Sequence, residues 1–133
     1  IDDVLANQCT VFINNAYNQR YQSDLLEHLY AEWKDKENII INIGSYITDY
    51  PRLERNRDHE PWEYRNDKSH LLKSFRRIVL DNSACRVHLI SPGPVDTPMI
   101  EHISTHKLQT NKVAQAVGYA IKYGWLKEMT VYV

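Results

Sequence analysis

Four short apolar runs, separated by longer stretches with helical periodicity, confine this chain to one kind of architecture. The runs are CTVFIN at 9–14, IIINIGS at 39–45, CRVHLIS at 85–91 and MTVYV at 129–133. Each is rich in β-favouring residues and too short for a buried helix. IIINI at 39–43 is apolar on both faces, the pattern of a parallel strand covered on both sides. Between the runs, Leu25, Leu26, Leu29, Tyr30 and Trp33 recur at helical spacing. They predict a helix over 24–36, with Ser23 or Asp24 as its cap and Asp24 with Glu27 as a capping box. Leu71, Leu72, Phe75, Ile78 and Val79 mark a second helix over 64–81. A third, capped by Thr110, carries Val113, Val117 and Ile121 and stops at Gly124. This alternation predicts one α/β domain over residues 1–133. Its strands, at 9–14, 39–43, 85–91 and 129–133, run parallel in that order, with helices on both faces of the sheet.

Composition excludes several function classes. The formal net charge is −1 and no Lys/Arg stripe is present, so nucleic acid is not an expected partner. The densest charged segment, 52–65, mixes signs and reads as a solvated loop. No apolar run is long enough to span a bilayer, so no membrane partner is expected, and IDDVLANQC lacks the basic start of a signal peptide. Cys9 and Cys85 lie in apolar runs without a CxxC partner. Both read as reduced core residues of a cytoplasmic protein. The six histidines never fall at metal-ligand spacing, so no metal is expected. His88, inside a strand, reads as a hydrogen-bonded structural residue.

In a parallel α/β sheet, ligands bind beyond the carboxyl ends of the strands. Here those ends carry Asn14-Asn15-Ala16, Gly44-Ser45 and Ser91-Pro92-Gly93. Tyr64 and Lys68 are four apart and share one helix face. A lysine cation beside a phenol favours the phenolate, which can pass a proton to or from a carbonyl or alcohol oxygen. The spacing alone is not specific: Tyr30/Lys34 and Tyr123/Lys127 repeat it in a chain with nine tyrosines.

The ordered set is more specific. NNA after one strand, a serine after the next, YRNDK (64–68) on a helix, and PGPVDT (92–97) after the third strand resemble the short-chain dehydrogenase/reductase family. RVHLISPGPVDTPM at 86–99 is especially close, and the resemblance runs from residue 9 across nearly the whole chain. It implies a Rossmann-like sheet and an oxidoreductase that moves a hydride between NAD or NADP and a small-molecule carbonyl or alcohol. It further implies Tyr64 as catalytic acid/base, Lys68 as the residue that tunes it and holds the nicotinamide ribose, and Ser45 as the hydroxyl that orients the substrate oxygen. Asn15 and Ala16 become neighbours of the cofactor, and Pro92, Gly93, Val95 and Thr97 the wall and anchor around its amide. The family often uses one more asparagine before the serine strand, and Asn18 is the nearest candidate.

The departures from the pattern define the other expectations. The first glycine is Gly44, so no glycine-rich turn follows a first strand, and the family's first βα units have no counterpart here. Weak or absent dinucleotide binding is therefore expected of these residues alone, together with an upstream segment beyond Ile1. Tyr17 stands where the family has glycine, and its ring would intrude on a cofactor. Substrate-facing residues are expected in 46–63 and 98–109. Association into a homo-oligomer is expected through the helices at 24–36 and 65–81, with Tyr30, Trp33 and Phe75 as the large side chains. A non-catalytic scaffold built on the same fold is the alternative reading. A flavodoxin-like phosphate or flavin binder fits the element order but lacks a phosphate loop.

Overall fold

The computed structural model describes residues 2–48, 62–98 and 106–132. Its sheet has four strands: β1 Val11–Asn14, β2 Ile39–Ile43, β3 Arg86–Pro92 and β4 Glu128–Val131. They lie in the order β1-β2-β3-β4, and every neighbouring pair is parallel. The register sets Asn14 beside Asn42, Ile41 beside His88 and Ile90 beside Met129. Order and direction agree with the alternation in the sequence.

The helices are α1 Asp2–Ala6, α2 Tyr21–Trp33, α3 Trp62–Ile78 and α4 Thr110–Lys122. One face of the sheet presents Ile40, Val87 and Leu89 to Leu26, Leu29, Trp33, Leu71 and Phe75 from α2 and α3. The other presents Ile39, Ile41, Ile43 and Ile90 to Ala116 and Ala120 of α4. Strand side chains alternate between faces, so continuous apolarity in β2 is what two-sided coverage requires. Tyr30, Trp33 and Phe75 are all buried in this core. Their apolar surface covers the chain's own sheet, so they are not available to pair subunits.

Local expectations fail at three places. Helix α2 begins at Tyr21, a turn earlier than Asp24, and has no side-chain cap. The reason is tertiary: Gln22, in its first turn, is tied to both β1 and β2. Glu27 does not close a capping box but accepts from Ser74 and Arg77 of α3. Likewise α4 starts at Thr110, with Gln109 as an uncapped N-cap, although it ends just ahead of Gly124 as expected. Cys9 is exposed, whereas Cys85 is buried. The first strand starts only at Val11, so Cys9 precedes it on the surface at a sheet edge with no neighbouring strand among the described residues. Helix α1, too short to show a helical period in the sequence, lays Val4 and Leu5 against the α2/α3 core. No helix among the described residues is long and apolar enough to cross a membrane.

Candidate active site

Towards the carboxyl end of the sheet, the face under α2 and α3 changes from apolar to polar. Asn14 and Asn42 are register partners on neighbouring strands, which brings their carboxamides together: Asn14 Nδ2 donates to Asn42 Oδ1 at 2.9 Å and to the Gln22 carbonyl at 2.8 Å. Asn42 Nδ2 donates in turn to the His88 carbonyl at 3.1 Å. Gln22 Nε2 donates to the Asn14 carbonyl at 2.9 Å and to the Ile43 carbonyl at 3.3 Å. All of these groups are buried, so each bond avoids the cost of an unpartnered polar atom.

Lys68 is seated on this cluster. Its Nζ donates to Gln22 Oε1 at 2.7 Å and to the Ile43 carbonyl at 2.9 Å, and the residue is only 4% exposed. Burial pulls its pKa from 10.5 down to about 8. The ammonium is thus fixed at the carboxyl end of β2, two residues before Ser45. One helical turn back on α3 is Tyr64, half-buried, whose ring centroid lies 5.7 Å from the Lys68 Nζ. A second ring, that of Tyr17, stands 5.8 Å from the same nitrogen and meets the Tyr64 ring edge-on at 4.9 Å.

The two phenols are not equivalent. Tyr17 Oη donates to Asp67 Oδ2 at 2.8 Å. Partial loss of water around the phenol, then Asp67, push its pKa up to about 12 although the residue is largely exposed. Tyr17 therefore keeps its proton near neutral pH.

The remaining residues singled out in the sequence sit as follows. Ser45 is buried directly after β2, and its Oγ accepts from the Ile47 amide at 3.4 Å. Gly44 gives β2 its close approach to β3: a Cβ there would meet Leu89 Cδ1 and Ser91 Oγ at 3.1 Å each. Pro92 ends β3 and the Gly93 amide donates to the Val131 carbonyl. Val95 bridges to Leu108, and Thr97 lies half-buried two residues on. Asn15, Ala16 and Asn18 are exposed in the segment after β1. The Asn18 carbonyl accepts from the Tyr21 amide, and the side-chain oxygen bonded to Lys68 is that of Gln22. The sequence reading missed Gln22 because that residue lay before the expected helix start. Most of 46–63 and 98–109, where substrate-facing residues were expected, falls outside the described residues. His88 is buried: its Nδ1 lies 2.6 Å from the Leu126 carbonyl, which fixes the proton on Nδ1, while Nε2 has no partner among the described residues. An open groove of about 550 Å³ between α4 and β4 lies away from Tyr64 and Lys68.

No family model and no curated protein matches the sequence. Solved structures do match the fold. A short-chain dehydrogenase from Burkholderia cenocepacia J2315 in complex with NADP superposes with a TM-score of 0.72 at 19% identity, over 98% of this chain and 62% of that one. A blue fluorescent protein from a metagenomic library, in complex with NADPH, gives 0.69 at 18% identity, over 93% and 63%. An alcohol dehydrogenase from the archaeon Thermococcus sibiricus, complexed with 5-hydroxy-NADP, gives 0.64 at 15% identity, over 99% and 66%. The chain thus spans less than two thirds of the length of these neighbours. Over that span it has the Rossmann-like parallel fold of the short-chain dehydrogenases/reductases, without the first βα units.

Proposed function

We propose that this chain is the catalytic half of an oxidoreductase that moves a hydride between a nicotinamide dinucleotide and a carbonyl or alcohol. The observation that carries the reading is the seat of Lys68: a buried ammonium held at the carboxyl end of β2, one helical turn from Tyr64 and beside the strand that leads into Ser45. In the reducing direction Tyr64 gives its phenolic proton to the substrate oxygen as the adjacent carbon gains a hydride. In the oxidising direction the phenolate takes the proton of the alcohol. Lys68 favours the phenolate by its charge, and Ser45 orients the substrate oxygen.

The residues present fit one end of such a cofactor. Lys68, Asn15 and Thr97 would hold the nicotinamide end, with Pro92, Gly93, Val95 and Ala16 around it. The bound nicotinamide supplies the hydride carrier. The same residues do not fit the pyrophosphate: no glycine precedes Gly44, and α2 begins behind the bulky side chains of Tyr17 and Arg20. That end requires residues outside these 133.

The test is Tyr64→Phe in the longest natural product of the gene, assayed with NADH and NADPH against a panel of ketones and alcohols. Loss of nearly all turnover with an unchanged fold is expected, because the proton carrier goes while the volume stays. Unchanged rates would refute the role of Tyr64. The second reading, a non-catalytic scaffold, draws on Tyr17, whose ring lies against both Tyr64 and Lys68. Absence of turnover in that longest product would favour it.

A further inference from the structure

Residues 15–20 connect β1 to α2, and every one of them is exposed. Yet this segment is fastened to α3 at two points. Tyr17 Oη donates to Asp67, and Arg20 Nη2 donates to His70 Nε2 at 2.5 Å. Asp67 and His70 are three residues apart, so they share one face of α3. Between the two fastenings, Gln19 adopts φ 49, a left-handed conformation that residues with a Cβ rarely take.

The fastening lays the Tyr17 ring against the Lys68 ammonium from the solvent side of the polar cluster. Tyr17 is 39% exposed, whereas Lys68 is 4% exposed. Among the described residues, two of the three N–H donors of Lys68 are taken by Gln22 and the Ile43 carbonyl. The Tyr17 and Tyr64 rings flank the same nitrogen at 5.8 and 5.7 Å, within the range where an aromatic face attracts a cation.

From this arrangement we propose that Tyr17 is a movable cover that controls access to Lys68. The closed position is held by one hydrogen bond to Asp67 and one edge contact with Tyr64. Both are weak enough to break without disturbing the core, since the segment contributes no residue to either buried cluster. What displaces the ring has to replace what the ring offers, so the displacing group carries an oxygen acceptor, a hydroxyl or a phosphate, for the remaining Lys68 N–H. The cover acts whether or not the chain turns over a substrate.

Acylation of the amine reads the cover directly and needs no ligand. The intact 133-residue chain is treated with N-hydroxysulfosuccinimide acetate at pH 8, and each lysine is followed by peptide mass spectrometry. The exposed Lys34 and Lys36 serve as internal references. In the wild type Lys68 should react at least tenfold more slowly than these two. Tyr17→Ala should speed Lys68 at least tenfold and leave the references unchanged. Tyr17→Phe and Asp67→Ala, which cut only the latch, should give intermediate rates, and they carry the test if Tyr17→Ala fails to fold. A Lys68 rate unmoved in folded variants, or already equal to the references in the wild type, would overturn the proposal. Turnover plays no part in the readout, so failure here is distinct from failure of the oxidoreductase reading.

Discussion

Lys68 shows how much one residue's surroundings reveal. Its ammonium has no carboxylate partner among the described residues, only two neutral oxygens, and burial lowers its pKa to about 8. Below pH 8 the fold bears a buried charge that the unfolded chain keeps in water. Between about 8 and the ordinary 10.5 the unfolded state binds more protons than the folded one, so stability rises with pH across that window. The full effect is roughly 3 kcal/mol, at 1.36 kcal/mol per pKa unit. Urea unfolding of the wild type and of Lys68→Met at pH 7.5, 8.5 and 9.5 checks this: the wild type should gain on the variant with each step. A constant difference would show that Lys68 is not perturbed. The cysteines give a second test at this scale. Cys9 is exposed, while burial raises the Cys85 thiol to about 11. A thiol-exchange reagent should therefore titrate one thiol quickly in the native protein and the second only on unfolding. Cys9 departs from the expected core position because an apolar run looks the same from sequence whether its first residue enters the sheet or precedes it. Gln22 was unreadable for a related reason: its partners are 8, 21 and 46 residues away.

At the scale of elements, strand order and direction were legible because hydrophobic period and alternation follow from burial on two faces. The ends of helices were not. Local capping rules place the start of α2 at Asp24, but the bonds from Gln22 to β1 and β2 extend it back to Tyr21. The edge strand β1 carries the exposed apolar side chains Val11 and Ile13, at 38% and 46% exposure. They are register partners of Ile39 and Ile41, which α4 helps to cover. An apolar edge of this kind pairs with other chains. Ile13→Lys should suppress concentration-dependent association in light scattering, with little loss of stability. Phe75→Ala, which empties the centre of the α2/α3 core, should by contrast cost about 3–5 kcal/mol in urea unfolding. Equal stability losses in the two variants would mean that the edge is already covered.

For the molecule as a whole, the sequence resemblance and the solved structures converge on one fold. The chain assembles a buried Lys68, Tyr64 and the ends of three parallel strands at one edge, and no glycine precedes Gly44 to form the turn that would receive a pyrophosphate. Subunit pairing through α2 and α3 remains a proposal that would use their outer faces, since Tyr30, Trp33 and Phe75 lie inside. The candidate site is visible in the sequence only as an ordered set of motifs, with no glycine before Gly44. The latch of Tyr17 onto Asp67 was not, because it joins residues 50 apart. Each charge-assisted hydrogen bond lost from the pyrophosphate costs roughly 1.5–3 kcal/mol, and two or three of them weaken binding by about three orders of magnitude or more. Calorimetric titration of the intact 133-residue chain with NADH and NADPH measures this directly. The account predicts no saturation below about a millimolar, and micromolar binding of either dinucleotide would contradict it.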